Sequence, residues 1–139
     1  MRFLYDTCAI CESESAQPNQ KVLDQLDAIP LADTFLSCIT IGEIQRGIAH
    51  LSAGRKKQIL NNWLQTKILP QYHGRILPIE LTTTTHWATM MADLEHRGIK
   101  MPLFDSLIAA TALVHGLTLV TRNEKDFAHC GIHLFNPWR

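Results

Sequence analysis

Apolar and polar residues follow one another along this chain in segments that predict short buried strands separated by amphipathic helices. Short apolar runs are typical of strands in a parallel sheet, because both faces of such a sheet are covered. The predicted strands cover residues 3–5, 34–39, 75–81, 117–121 and 132–135. The predicted helices, with apolar residues at helical spacing, cover residues 22–29, 40–51, 55–69, 82–97 and 106–115. This alternation predicts an α/β fold with a largely parallel sheet of five strands.

Proline and glycine residues separate these predicted elements. Pro30 and Pro70 each follow a helical pattern that they cannot continue, and Gly98 and Gly116 stand where a helix C-cap is expected. The helix over residues 106–115 is apolar on nearly every side, which predicts a central, buried position.

Composition limits the classes of protein that are possible. The chain has 139 residues, 46% hydrophobic and 19% charged, which predicts one globular domain over residues 1–139. Lys+Arg and Asp+Glu both number 13, so no strong global field attracts nucleic acid. No apolar run is long enough to span a membrane, and Asp6 interrupts any signal peptide. We therefore expect a cytoplasmic protein without a membrane partner, in which the four cysteines are reduced.

Acidic and amide side chains stand close to the carboxyl ends of three predicted strands. Asp6 follows the first strand, Glu43 lies in the helix after the second, and Asp105 opens the buried helix that leads into the fourth. Asn123 and Asp126 follow that fourth strand. Ligands of parallel sheets bind outside these carboxyl ends, so we expect the side chains to face one crevice.

Each of these residues also has a purely structural interpretation. Thr40 and Glu43 have the spacing of a capping box, Asp105 could be an N-cap, and Asp6 and Asp126 could belong to turns. Taken together the carboxylates favour another explanation, because two of them about 5 Å apart repel by roughly 3 kcal/mol at an effective dielectric near 20. A divalent cation relieves that repulsion, and oxygen ligands favour Mg²⁺ or Mn²⁺. Such a cation would activate water against a phosphodiester, with one or two ions at the site.

The order of short motifs along the chain is specific in combination. These motifs are DT at 6–7, IGEI at 41–44, DSLIAATA at 105–112, LVTRN at 119–123, DF at 126–127 and NPW at 136–138. With this order the chain resembles the PIN-domain toxins of type II toxin–antitoxin modules, the VapC family, and within it the FitB-like branch. The resemblance extends from Met1 to Trp138.

The resemblance implies a three-layer α/β/α domain around a central five-stranded parallel sheet. It implies a Mg²⁺- or Mn²⁺-dependent endoribonuclease that inhibits translation by cleaving RNA, often tRNA. It further implies a homodimer and a cognate antitoxin of the VapB or FitA type, through which alone the toxin reaches operator DNA.

By the same resemblance, the catalytic and metal-binding acids of the family correspond to Asp6, Glu43 and Asp105. Thr7 and Thr121 correspond to the hydroxyl residues that flank the site.

Two positions depart from the family pattern. Cys8 replaces the usual Asn of the first motif, and Asn123 occupies the position that is often the fourth acid. Asn123 still offers a carbonyl oxygen, and Asp126, also a candidate metal ligand, can supply the charge from three residues further on. These departures leave a second hypothesis open, a catalytically silent PIN-like module that binds RNA or protein.

Other motifs give weaker indications. Cys8 and Cys11 have the spacing of a thiol oxidoreductase but lack its usual neighbours, and a zinc site would need a second cysteine pair. The basic run over residues 55–57 is typical of a solvated helix face, although it could contact RNA or the antitoxin. Part of the apolar face of the helix over 55–69 could be left for the antitoxin or for the second subunit.

Overall fold

The computed structural model describes all residues from Met1 to Arg139, and its strands form one parallel sheet. The strands are β1 (Phe3–Tyr5), β2 (Thr34–Ser37), β3 (Ile76–Leu77), β4 (Thr118–Val120) and β5 (Leu134–Phe135). The helices are α1 (Thr7–Cys11), α2 (Gln20–Asp27), α3 (Cys38–His50), α4 (Arg55–Trp63), α5 (Leu69–Gln71), α6 (Leu81–His96), α7 (Leu103–His115) and α8 (Glu124–Phe127). Two 3₁₀ segments cover Glu12–Glu14 and Leu31–Asp33.

The strand order is β3-β2-β1-β4-β5, and every neighbouring pair is parallel. The chain builds outward from β1 to β2 and β3 on one side, then returns to place β4 and β5 on the other side. Such a reversal creates a crevice at the carboxyl ends of the two strands where the order changes, here β1 and β4. This confirms the predicted five-stranded parallel sheet.

Two separate hydrophobic cores cover the two faces of the sheet. Successive strand residues point to opposite faces, so Tyr5 and Val120 join the core formed with α1 to α4. Leu4 and Leu119 join the other core, which α6 and α7 complete. The result is the three-layer α/β/α arrangement that the family resemblance implies.

Several element boundaries differ from the predicted ones. The second strand ends at Ser37, because Ser37 caps α3 by accepting a hydrogen bond from the Ile39 N–H at 3.0 Å. The third strand is only two residues long and stops before Pro78, which has no N–H to donate to the sheet. The last strand is likewise reduced to Leu134–Phe135.

The predicted helix over residues 55–69 is longer and less regular than expected. It continues from α4 through a π-helical segment, Leu64–Ile68, into α5 and ends at Gln71. Pro70 lies close to the end of this continuous helix, which stops one residue later at Gln71. Ile59, one of the apolar residues at helical spacing in this segment, is half exposed.

Glycines follow α6 and α7, as predicted. Gly98 follows α6 with φ +71° and Gly116 ends α7 with φ +64°. Both values lie in the left-handed region that glycine occupies without a Cβ penalty.

The cap of α3 generates a test. Thr40 does not cap the helix, and its buried hydroxyl has no hydrogen-bond partner. We expect Ser37→Ala to lower the free energy of unfolding by about 1 kcal/mol through loss of the cap. Thr40→Val should leave that free energy unchanged or raise it, because an unsatisfied buried hydroxyl is removed. Urea unfolding of both variants measures this, and a greater loss for Thr40→Val than for Ser37→Ala would assign the cap to Thr40 after all.

Candidate functional site

Asp6 and Thr121 meet at the crevice between β1 and β4. Tyr5 pairs with Val120 in the sheet. The backbone N–H of the following residue, Asp6, donates to the Val120 carbonyl at 3.1 Å. The Thr121 hydroxyl then donates to Asp6 Oδ2 at 2.6 Å, and both residues are buried. Two residues far apart in sequence are thus brought together by strand pairing.

The other oxygen of Asp6 caps the short helix α1. Oδ1 accepts from the Cys8 backbone N–H at 2.8 Å and also contacts Cys8 Sγ. Asp6 therefore caps a helix and does not close a turn, and this structural role does not compete with a functional one. The capped carboxylate is held in one orientation at the edge of the sheet.

Glu43 approaches the same edge from α3. Its Oε1 accepts a hydrogen bond from the Thr7 hydroxyl at 3.0 Å, which joins α3 to α1. Glu43 lies inside the helix rather than in its first turn, so the predicted capping box with Thr40 is wrong. Because Thr7 follows Asp6 directly, this bond keeps the two carboxylates near each other.

Asp105 lies in the first turn of α7, not at its N-cap, which is Pro102. The N-cap interpretation is therefore wrong. Next to it, the Trp87 indole N–H donates to Ser106 Oγ at 2.8 Å and fastens this turn to α6. Burial raises the pKa of the Asp105 carboxyl, and the charges of Asp126, Glu43 and Asp6 raise that pKa further. All four carboxylates thus share one electrostatic environment.

Asn123 and Asp126, the two candidates for a fourth metal-site residue, lie at the N-cap of α8 and within that helix. Asn123 is exposed at the N-cap of α8, its side chain makes no cap hydrogen bond, and its backbone N–H donates to the Thr121 hydroxyl at 3.0 Å. Asp126 is exposed in α8 and is the neighbouring charge with the largest effect on Asp105.

The chemistry of these donors suits a hard divalent cation that keeps much of its water. No three His, Cys, Asp or Glu side chains lie close enough to enclose an ion by themselves. Mg²⁺ binds proteins through one or two carboxylates together with waters and substrate phosphates, so it does not need such a cage. The set of oxygen donors fits that mode of binding.

The cysteines do not form a redox or zinc site. All four are free thiols. Burial, followed by the nearby charge of Asp6, raises the pKa of Cys8 to about 12 and that of Cys11 to about 11. A catalytic thiol needs a lowered pKa, so these values oppose oxidoreductase chemistry.

Two structural contributors were missed by the sequence reasoning. Cys8 contacts Asp6, and its Sγ accepts from the Arg122 N–H at 3.3 Å, so it joins the first loop to the loop after β4. The chain end also stabilises this region, because the Trp138 indole N–H donates to Glu12 at 3.1 Å. The available signals were the position of Cys8 in the first motif and that of Trp138 in the NPW motif, although neither motif predicts these contacts.

Comparison with known proteins finds one matching domain family. The PIN domain matches residues 3–132. Toxin FitB of Neisseria gonorrhoeae is 38% identical over 135 residues, covering 97% of each chain. The VapC ribonuclease Y4jK of Sinorhizobium fredii is 36% identical over 133 residues, covering 96% of this chain and 95% of the relative.

Solved structures agree with these relatives. The FitAcB complex of Neisseria gonorrhoeae matches with a TM-score of 0.94 at 38% identity, covering 99% of each chain. A structure of FitAB bound to an IR36 DNA fragment matches with a TM-score of 0.94 at 36% identity, covering 99% of this chain and 96% of that one. In the present structure, no helix combines the length and the apolar character that crossing a bilayer requires.

The raised pKa of Asp105 predicts that replacing its carboxylate with a neutral amide stabilises the protein, by an amount that depends on pH. The native state disfavours the charged carboxylate, so Asp105→Asn should raise the melting temperature of the metal-free protein by a few degrees at neutral pH. The gain should shrink as pH falls toward the ordinary carboxyl pKa of about 4, where the unfolded chain also binds the proton.

Thermal unfolding in EDTA between pH 4 and 8 measures this difference. Glu95→Gln, at an exposed position of α6, is the matched control for loss of one charge. A gain for Asp105→Asn that is independent of pH, or no gain above that of the control, would contradict the electrostatic origin.

Proposed function

This chain belongs to the PIN-domain family, among the VapC and FitB ribonuclease toxins, and on that premise we propose that it is a divalent-metal-dependent endoribonuclease. In this proposal the toxin cleaves RNA, with tRNA as the expected target, and so inhibits translation. The observation that carries the proposal is the set of four carboxylates at the carboxyl edge of the sheet. Burial raises the pKa of Asp105, and the charges of the other three carboxylates raise that pKa further.

Asp6, Glu43 and Asp105 are proposed as the catalytic and metal-binding acids. PIN-domain ribonucleases generally depend on divalent metal, and Mg²⁺ or Mn²⁺ suits the oxygen donors present here. When bound, the ion supplies positive charge for the scissile phosphate and lowers the pKa of the attacking water.

Hydrogen bonds from the surrounding residues orient these carboxylates. Thr121 and the Cys8 N–H fix both oxygens of Asp6, and Thr7 fixes Glu43. Trp87 and Ser106 anchor the turn that carries Asp105. Metal ligands in proteins are commonly oriented by such outer hydrogen bonds, and we assign these residues that role.

The proposed macromolecular partners are an antitoxin of the VapB or FitA type and a second copy of this chain. The similar FitAcB and FitAB structures are complexes, and one of them includes DNA. We propose that this toxin is likewise held by its antitoxin and meets operator DNA only through it.

Cleavage of RNA tests the assignment of the three acids. We expect the antitoxin-free protein to cut a tRNA pool or total RNA into discrete fragments with Mg²⁺ or Mn²⁺, and to stop in EDTA. Asp6→Asn, Glu43→Gln and Asp105→Asn should each lower the cleavage rate at least about a hundredfold, because each removes a metal ligand.

The control for cleavage is Glu95→Gln, purified identically, which should cut as the parent does. Equal fragments from the parent and the three variants would reveal a contaminating nuclease. No cleavage of any RNA together with no Mn²⁺ binding by the parent would refute the catalytic proposal and favour the silent binding module.

The fourth metal position is resolved by a Mn²⁺ titration. We assign the charge to Asp126, so Asp126→Asn should weaken Mn²⁺ binding by about tenfold. Asn123→Ala should weaken it less, because a neutral carbonyl oxygen contributes no Coulombic attraction to the ion. Isothermal calorimetry on both variants gives the comparison, and the reverse order would move the assignment to Asn123.

A further inference from the structure

Two exposed arginines stand beside the acidic edge without partners. Arg122 follows Thr121 directly, and Arg46 lies three residues beyond Glu43 on α3, where such residues are neighbours on the helix surface. Neither side chain forms an ion pair, since the only two ion pairs involve Arg97 and Arg139. Their charges are available to a ligand.

The other arginines, apart from Arg55 at the start of α4, are already engaged. Arg75 donates to backbone carbonyls around β2 and lies over the Tyr72 ring, and Arg2 donates to a carbonyl and lies over Phe35. Most arginine side chains of this chain therefore have partners within the protein, whereas the two next to the carboxylates have none.

The strand order places these two arginines on opposite sides of Asp6. β1 lies between β2 and β4. Arg46 belongs to the helix that follows β2, and Arg122 belongs to the loop that follows β4. A ligand lying across the carboxyl end of β1 would therefore meet a cation on each side.

Gly42 leaves helix backbone exposed four residues before Arg46. It precedes Glu43 inside α3, and a Cβ added there would meet nothing within 4 Å. Packing within the chain thus does not require glycine, although glycine weakens a helix relative to alanine. Bare helix backbone at this position allows a ligand to approach closely.

We propose that Arg46 and Arg122 bind backbone phosphates of the RNA on the two sides of the scissile bond. This inference rests on the proposed function and adds the substrate contacts to it. A neutral chain with four carboxylates at its active edge repels a polyanion, and guanidinium groups bind phosphate oxygens in pairs of hydrogen bonds. The two arginines offset this repulsion at the points where the RNA enters and leaves the acidic edge.

The salt dependence of RNA binding tests the proposal. Full-length protein carrying Asp6→Asn, which prevents cleavage, is titrated onto a fluorescein-labelled single-stranded 12-nucleotide RNA of mixed sequence across a series of salt concentrations. Arg46→Gln and Arg122→Gln are each expected to reduce the slope of log affinity against log salt by about 0.7, the value for one phosphate contact. Loss of one phosphate contact is also expected to weaken RNA binding by about fivefold to tenfold in roughly 0.05 M salt.

Matched variants separate charge from structure. Arg46→Lys and Arg122→Lys keep the positive charge and should keep the slope. Arg97→Gln removes an arginine that is paired with Asp93, and it should bind as the parent does. Slopes for both glutamine variants equal to the parent slope, or no RNA binding by the parent, would overturn the proposal.

The outcome is distinguishable from that of the proposed function. The two glutamine variants could show reduced slopes while the protein that keeps Asp6 cleaves no RNA. That result would support the binding surface and refute the nuclease. Metal-dependent cleavage with unchanged slopes would leave the nuclease in place and overturn the assignment of the arginines.

Discussion

The hydrogen bond from the Thr121 hydroxyl to Asp6 is the contact on which the rest of the site depends. It joins the ends of β1 and β4, the neighbouring strands at which the strand order reverses. Parallel pairing from Phe3 to Tyr5 brings the two residues level, so the fold itself produces the contact. Asp6 then caps α1, which presents Thr7 to Glu43. One strand register therefore determines the positions of two carboxylates and of the helix between them.

Much of this arrangement could be predicted from the sequence, because apolar periodicity reports burial and burial determines the layers. The five parallel strands follow from that pattern, and the approach of Asp6, Glu43 and Asp105 follows from their places near strand ends. Helix starts were less predictable. Ser37 and Thr40 are both good caps, and only the backbone conformation at Ser37 decides between them.

The side-chain contacts of the site could not be predicted from local pattern. Cys8 was noted as a departure from the family, yet its contacts with Asp6 and with the Arg122 N–H depend on strands that are distant in sequence. The same holds for Trp87, whose bond to Ser106 requires α6 and α7 to pack side by side. Long-range geometry of this kind is set by tertiary packing, which periodicity and capping rules do not describe.

The choice of donors around the acids connects stability with function. Asp6 and Glu43 accept from hydroxyls, a thiol and a backbone N–H, and no basic side chain forms an ion pair with any of the four carboxylates. Neutral donors orient a carboxylate and leave its charge uncompensated, whereas an arginine partner would neutralise it and compete with an incoming cation. The fold therefore tolerates a repulsion that adds to the effect of burial in raising the pKa of Asp105. In the proposed function that uncompensated charge would attract a divalent ion, so the electrostatic cost in the metal-free protein and the affinity for metal would have one origin.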